Sequence, residues 1–129
     1  MNAKFFVPFE TVKLLKKKGY PQAENDWYYE PAGEMLINEG VAELLRHRAG
    51  DNADGIVAAP TYHEVEDWLE GKDIYIDVCR TDNTLLESGY RWHCYIWERD
   101  TDDWCTVTIE YPTREEAINE AILKALEML

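Results

Sequence analysis

The chain has 129 residues, 46% of them hydrophobic, enough to bury a core of its own without disulfide or metal staples. Its 26 Asp and Glu against 13 Lys and Arg leave a net charge of −13. A surface this acidic repels phosphate backbones and anionic membranes, so direct nucleic-acid binding is not expected. No apolar run approaches the ~20 residues that a bilayer span requires, and no membrane association is expected either.

The N-terminal stretch Met1–Phe9 has one lysine, Lys4, and an apolar patch broken by Pro8, which makes a poor export signal. The cysteines Cys79, Cys94 and Cys105 form an odd set without a C-x-x-C pair. Both features point to a cytoplasmic protein with reduced thiols. Charge is spread unevenly: residues 1–20 hold five lysines and one glutamate, a local +4, which leaves −17 for the remainder.

Phe9 to Lys18 reads as a helix, with Phe9, Val12 and Leu15 on one stripe and Leu14 widening it. Lys16, Lys17 and Lys18 complement the negative end of its dipole, Gly19 supplies the C′ residue, and Pro21 forbids continuation. Asp26 to Asn38 reads as a hairpin around Glu30-Pro31-Ala32-Gly33, where Pro presets φ and Gly accepts a positive φ. Residues 39–58 carry the weakest pattern. Val41 to Arg48 fits a short helix with Leu44 and Leu45 as its apolar contacts, and residues 50–55 have loop composition.

Two passages then repeat one punctuation. Pro60-Thr61-Tyr62-His63-Glu64 and Pro112-Thr113-Arg114-Glu115-Glu116 each place Thr three residues before Glu, with Pro just ahead. This is the capping-box pattern, in which hydroxyl and carboxylate satisfy backbone N–H groups of the first helical turn. Helices are expected from Thr61 to Glu70, stopping at Gly71, and from Thr113 to Met128.

Between them lie three alternating runs. Ile74, Ile76 and Val78 oppose Tyr75, Asp77 and Cys79; Trp92, Cys94 and Ile96 oppose Arg91, His93, Tyr95 and Trp97; Cys105, Val107 and Ile109 oppose Trp104, Thr106 and Thr108. Both capped helices are expected on the face of Ile74, Ile76, Val78, Cys94, Ile96, Val107 and Ile109. The expected fold is α+β in the order α-β-β-(α)-α-β-β-β-α: one domain whose antiparallel sheet joins the three C-terminal strands and the N-terminal hairpin. Residues 1–58 form its N-terminal layer and 59–129 its α-β-β-β-α core.

The opposite sheet face gathers Tyr75, Tyr95, Trp97 and Trp104 beside His93 and Arg91. It is either covered by the N-terminal layer, which the shortness of the chain favours, or open as an interaction surface. In the covered case the surface shifts to the acidic hairpin tip of Glu98, Asp100, Asp102 and Asp103.

Chemistry-bearing patterns are sparse. Asp51-Asn52-Ala53-Asp54-Gly55 departs from a calcium loop, which needs an acid or amide at its third position and Gly at its sixth. His47, His63 and His93 form no i, i+4 pair, so no metal is expected. Cys79, His93 and Asp77 share a sheet face, but buried cysteine is a common core residue and no catalytic group is assigned. No glycine-rich phosphate loop occurs, and no cofactor is expected. The order α-β-β-β-α matches double-stranded-RNA-binding domains, whose last helix opens with lysines that grip phosphate; here Thr113-Arg114-Glu115-Glu116 would repel it.

Phe9-Glu10-Thr11, Leu14-Leu15-Lys16 and Gly19-Tyr20-Pro21, with Ala59-Pro60-Thr61 leading to Trp68-Leu69 and Glu116-Ala117 leading to Ala121-Ile122 and Ala125-Leu126, carry a resemblance. The chain resembles a group of small uncharacterised proteins encoded in phages, prophages and mobile elements of gut bacteria. These motifs are caps and core positions, so the resemblance implies a fold and transfers no catalytic residue. The Val41–Ile56 stretch is longer than the group leads one to expect. Two functions are in view. The first is a non-enzymatic accessory protein that binds another protein, with a basic partner suited to its charge. The second is an acidic modulator that mimics nucleic acid in a host enzyme's cleft, with Glu98, Asp100, Asp102 and Asp103 standing in for phosphates.

Overall fold

The structure is a computed structural model describing residues 5–33, 36–49, 55–82, 90–99 and 105–129. The chain divides into two compact units, Phe6 to Thr61 and Tyr62 to Leu129, with Phe5 counted in the second.

The first unit contains α1 (Phe9–Lys17), β1 (Trp27–Tyr29), β2 (Leu36–Asn38), α2 (Glu39–Ala49) and β3 (Val57–Ala58). Helix α1 buries Thr11, Val12 and Leu15. Leu14, expected on that stripe, is exposed, because it lies two residues and so ~200° round the helix from Val12. The helix ends as its sequence predicts. Gly19 adopts φ 97°, its N–H donates to the Lys16 carbonyl at 3.1 Å, and the Tyr20 N–H donates to the Leu15 carbonyl at 2.9 Å. These paired bonds satisfy carbonyls that the last turn leaves open.

The hairpin forms with Tyr28 opposite Ile37. Its turn is closed by the Gly33 N–H donating to the Glu30 carbonyl at 2.8 Å, with Gly33 at φ 78°. A side chain here would be doubly unfavourable, since a Cβ on Gly33 would collide with the Phe9 ring. Helix α2 starts at Glu39, two residues before the expected Val41. Asn38 explains this: its Oδ1 accepts the Val41 N–H at 2.9 Å, the bond of an N-cap residue. Of its expected apolar contacts Leu44 is exposed and Leu45 half-buried, while Ala42 is fully buried.

The hairpin belongs to a sheet of its own, ordered β2-β1-β3, rather than extending the C-terminal sheet. Tyr28 pairs with Ala58 and Tyr29 with Val57, so the end of the weakly patterned stretch 39–58 takes the free edge of β1. Gln22 fixes that edge: its Oε1 accepts the Ala58 N–H at 2.9 Å while its amide donates to the Tyr20 carbonyl at 3.0 Å.

The second unit contains α3 (Tyr62–Glu70), β4 (Ile74–Asp82), β5 (Tyr90–Glu98), β6 (Cys105–Val107) and α4 (Arg114–Glu127). Its sheet is antiparallel in the order β4-β5-β6. Helix α3 ends at Glu70, and the left-handed residue that follows is Asp73 at φ 63°. Thr113 caps α4 as predicted, its hydroxyl accepting the Glu116 N–H at 3.2 Å. Both helices pack on β4, and α4 also packs on β5. Ala117, Ile118, Ala121, Ile122, Ala125 and Leu126 of α4 are buried, as are Val65 and Leu69 of α3 and Ile74, Cys94 and Ile96 of the sheet. Ile76 and Val78 are half-buried.

The last strand runs in the opposite phase to the one expected. Tyr95 pairs with Val107, Ile96 with Thr106 and Trp97 with Cys105. The backbone register thus pairs Val107 and Cys105 with Tyr95 and Trp97 rather than with the Cys94 and Ile96 set. Thr108 is buried and Ile109 is 70% exposed, the reverse of the hydrophobic assignment. A polar anchor sets the phase: the Thr108 Oγ1 accepts the Cys94 N–H at 2.8 Å, and the Thr108 N–H donates to the Cys94 carbonyl at 2.9 Å. Because side chains alternate, a shift of one residue exchanges the two faces of a strand.

Pairing resumes at Trp92 and Tyr111, which exchange two bonds of 2.8 Å. Between these anchor points Ile109 and Glu110 together stand opposite the single residue His93, which is a β-bulge. The bulge releases Ile109 from the ladder and leaves it in solvent.

Candidate interaction surface

The register of β4 and β5 determines which side chains share the outer face. Tyr75 lies opposite Trp97, Asp77 opposite Tyr95, Cys79 opposite His93, and Thr81 opposite Arg91. These pairs line up along two nine-residue strands, with cross-strand neighbours close enough to touch. Tyr75 is 36% exposed; Tyr95, Trp97, His93 and Arg91 are half-buried. Three of the four expected aromatics are thus brought to one face. Trp104 lies outside the described residues.

The face is amphipathic in detail. The His93 ring stands edge-on to Tyr95 at 5.2 Å between centroids, and its Nδ1 is 3.2 Å from the Thr81 hydroxyl. The Trp97 indole N–H is buried and has no hydrogen-bond partner among the described residues. At the open end of the pair, Arg99 meets Asp73 at 3.1 Å in an exposed ion pair. Glu98 is exposed there, while Asp100, Asp102 and Asp103 of the expected acidic tip lie outside the described residues.

The Cys79, His93 and Asp77 grouping does share this face, with Cys79 and His93 as register partners. The imidazole nevertheless spends its described hydrogen bond on Thr81. Cys79 and Cys94 are free thiols. Burial pushes the Cys94 thiol up to about 12, with the Glu66 carboxylate adding to the shift, so Cys94 behaves as a core atom and not as a nucleophile. Glu66 itself is half-buried on α3, and burial raises its carboxyl above the usual carboxylate range against the opposing pull of Arg114. Among the described residues no group of three His, Cys, Asp or Glu is placed to hold a metal ion. No described helix is long and apolar enough to cross a membrane.

Sequence reasoning missed the exposure of Ile109, which it expected on the helix-covered face. The bulge that exposes it depends on pairing with β5 and has no local signal, since Tyr111 beside Pro112 is itself paired with Trp92. No family model, curated protein or solved structure matches the chain.

Proposed function

We propose that this chain is a non-enzymatic accessory protein that acts in the cytoplasm by binding another protein, using the outer face of β4 and β5. The observation that carries the reading is the register that places Tyr75, Trp97 and Tyr95 side by side, with Tyr75 still 36% exposed. Aromatic side chains bring large apolar area at low entropic cost and dominate interface energies where they concentrate. The charge of this unit selects the partner. Residues 62–129 hold 17 Asp and Glu against 6 Lys and Arg, a net −11, which steers a basic surface toward the face.

An origin in phages, prophages or mobile elements is part of the same proposal, and under it a bacterial host is where a partner is sought. Imitation of nucleic acid is the alternative, with Glu98, Asp100, Asp102 and Asp103 as its acidic row. Capture from a bacterial lysate tests both. Under the first reading, Tyr75→Ala with Tyr95→Ala removes the captured protein while the melt stays near wild type. Reversal of Glu98 alone lowers capture modestly and makes it less salt-sensitive. Capture unaffected by the aromatic pair but abolished by charge reversal at the tip would replace the first reading with the second.

A further inference from the structure

The sheet of the second unit has two edges, finished in different ways. β6 pairs with β5 over three described residues and then breaks into the bulge at Ile109 and Glu110. β4 instead follows β5 for nine residues, Ile74 to Asp82, in one-to-one register. It contains no Pro, Gly or Lys. Native sheets blunt an edge with short strands, bulges, prolines or lysines, because unpaired N–H and C=O groups template further pairing. β6 has the bulge, and β4 has none of these devices.

The hydrogen-bond phase identifies which groups of β4 point outward. The Trp92 N–H donates to the Tyr111 carbonyl at 2.8 Å and the Thr108 N–H to the Cys94 carbonyl at 2.9 Å, so Trp92 and Cys94 address β6. Their neighbours Arg91, His93 and Tyr95 then address β4, opposite Thr81, Cys79 and Asp77. Ile76 and Val78 alternate with these and turn their N–H and C=O groups away from β5. Among the described residues nothing bonds those outward groups.

The side chains at this edge are incompletely covered. On the helix-covered face Ile76 and Val78 are half-buried, while their register partners Ile96 and Cys94 are 1% and 0% exposed. Between them Asp77 is exposed on the outer face and makes no ion pair among the described residues. Helix α3, which packs on β4, carries four acids and no Lys or Arg. The edge therefore combines open backbone groups, two apolar flanks and a negative field.

Resting on the reading that this unit binds another protein, we propose that the partner joins by strand addition: an extended segment alternating apolar residues with Lys or Arg pairs antiparallel with β4. Its apolar residues lie opposite Ile76 and Val78, share their main-chain bonds and cover their exposed halves. Its basic residue lies opposite Asp77, in the non-hydrogen-bonded position where Cα atoms approach to about 4.5 Å. Main-chain bonds supply affinity and the alternation supplies specificity. A second copy of the chain is a poor occupant, since each copy carries −13.

A capped heptapeptide alternating Lys and Val is the probe, added to the full-length chain and read by amide hydrogen exchange. In the free chain the Asp77 and Cys79 amides should exchange slowly and those of Ile76 and Val78 fast. The peptide should bind saturably and slow Ile76 and Val78. A Glu and Val peptide, or the Lys and Val peptide N-methylated on its Val amides, should bind at least roughly tenfold more weakly, whereas methylation of its Lys amides is tolerated. Asp77→Lys, an exposed change, should weaken the Lys and Val peptide by roughly threefold to tenfold at low salt. Slow exchange of Ile76 and Val78 in the free chain, self-association through β4, equal binding of the Val-methylated peptide, or indifference to Asp77→Lys would each overturn the proposal. A lysate protein whose capture needs Tyr75 and Tyr95, yet which leaves the exchange of Ile76 and Val78 unchanged, would overturn strand addition while keeping the outer face as the binding surface.

Discussion

The two units are built by different means. From Tyr62 onward, nine-residue strands and a fourteen-residue helix bury long apolar stripes, and periodicity carries most of the specification. From Phe6 to Thr61, strands of two or three residues are too short to specify themselves. There the backbone is tied by individual side chains: the Tyr29 hydroxyl donates to the Val7 carbonyl at 2.8 Å, Gln22 holds Tyr20 and Ala58, and Asn38 starts α2. A periodic unit should therefore fail gradually under surface changes and sharply under core truncation. A tethered unit should be sensitive to single polar atoms.

The largest expected effect tests the strand phase in the second unit. Ile96 is 1% exposed and Ile109 70%. Ile96→Ala should lower the unfolding free energy by ~2–5 kcal/mol, and Ile109→Ala should change it by no more than ~0.5 kcal/mol. Comparable losses from the two in urea denaturation would mean that the bulge and the phase are wrong.

In the first unit, Gly33→Ala combines a left-handed φ with a collision against Phe9 and should cost ~2–4 kcal/mol. A melt within a degree of wild type would remove the hairpin turn from the account. Tyr29→Phe deletes one oxygen and leaves the Val7 carbonyl without that donor, at a cost of ~1–2 kcal/mol. If it proves neutral, the contrast between tethered and periodic construction loses its main support.

A smaller effect concerns pH. Burial raises the Glu66 carboxyl in the folded state above its usual value of 4.5, so the folded chain binds its proton more tightly than the unfolded chain does. That contribution is fully present below pH 4.5 and is lost as pH rises through the folded-state value. Glu66→Gln should thus be relatively more stable than wild type near neutrality, with the advantage shrinking in acid. A difference that grows as pH falls would reverse the assignment.

How much could be read in advance follows from the same contrast. The Thr113 cap, the Gly19 terminus, the Pro31–Gly33 turn and the α4 stripe were legible because each depends on residues within a few positions of one another. The phase of β6 was not. Its alternation of Cys105, Val107 and Ile109 is regular, and only the bond between Thr108 and Cys94, fourteen residues away, selects the opposite face. β3 escaped notice for a related reason, since two residues carry no period and take their order from β1. Asn38 was a readable cap hidden by the expectation that the hairpin strand would end there. The shared face of Tyr75, Tyr95 and Trp97 was legible, while the exposure of Ile109 depended on the bulge.

The central claim is that the outer face of β4 and β5 is a surface presented to a partner and not a second core. The denaturation curve of Tyr75→Ala tests it most directly, because Tyr75 sits at the middle of the claim and needs no partner in the tube. The account predicts an unfolding free energy within ~1.5 kcal/mol of wild type, as for a side chain already in contact with water. A loss of ~3–5 kcal/mol, the cost of truncating a fully packed aromatic, would show the face to be core and contradict the account.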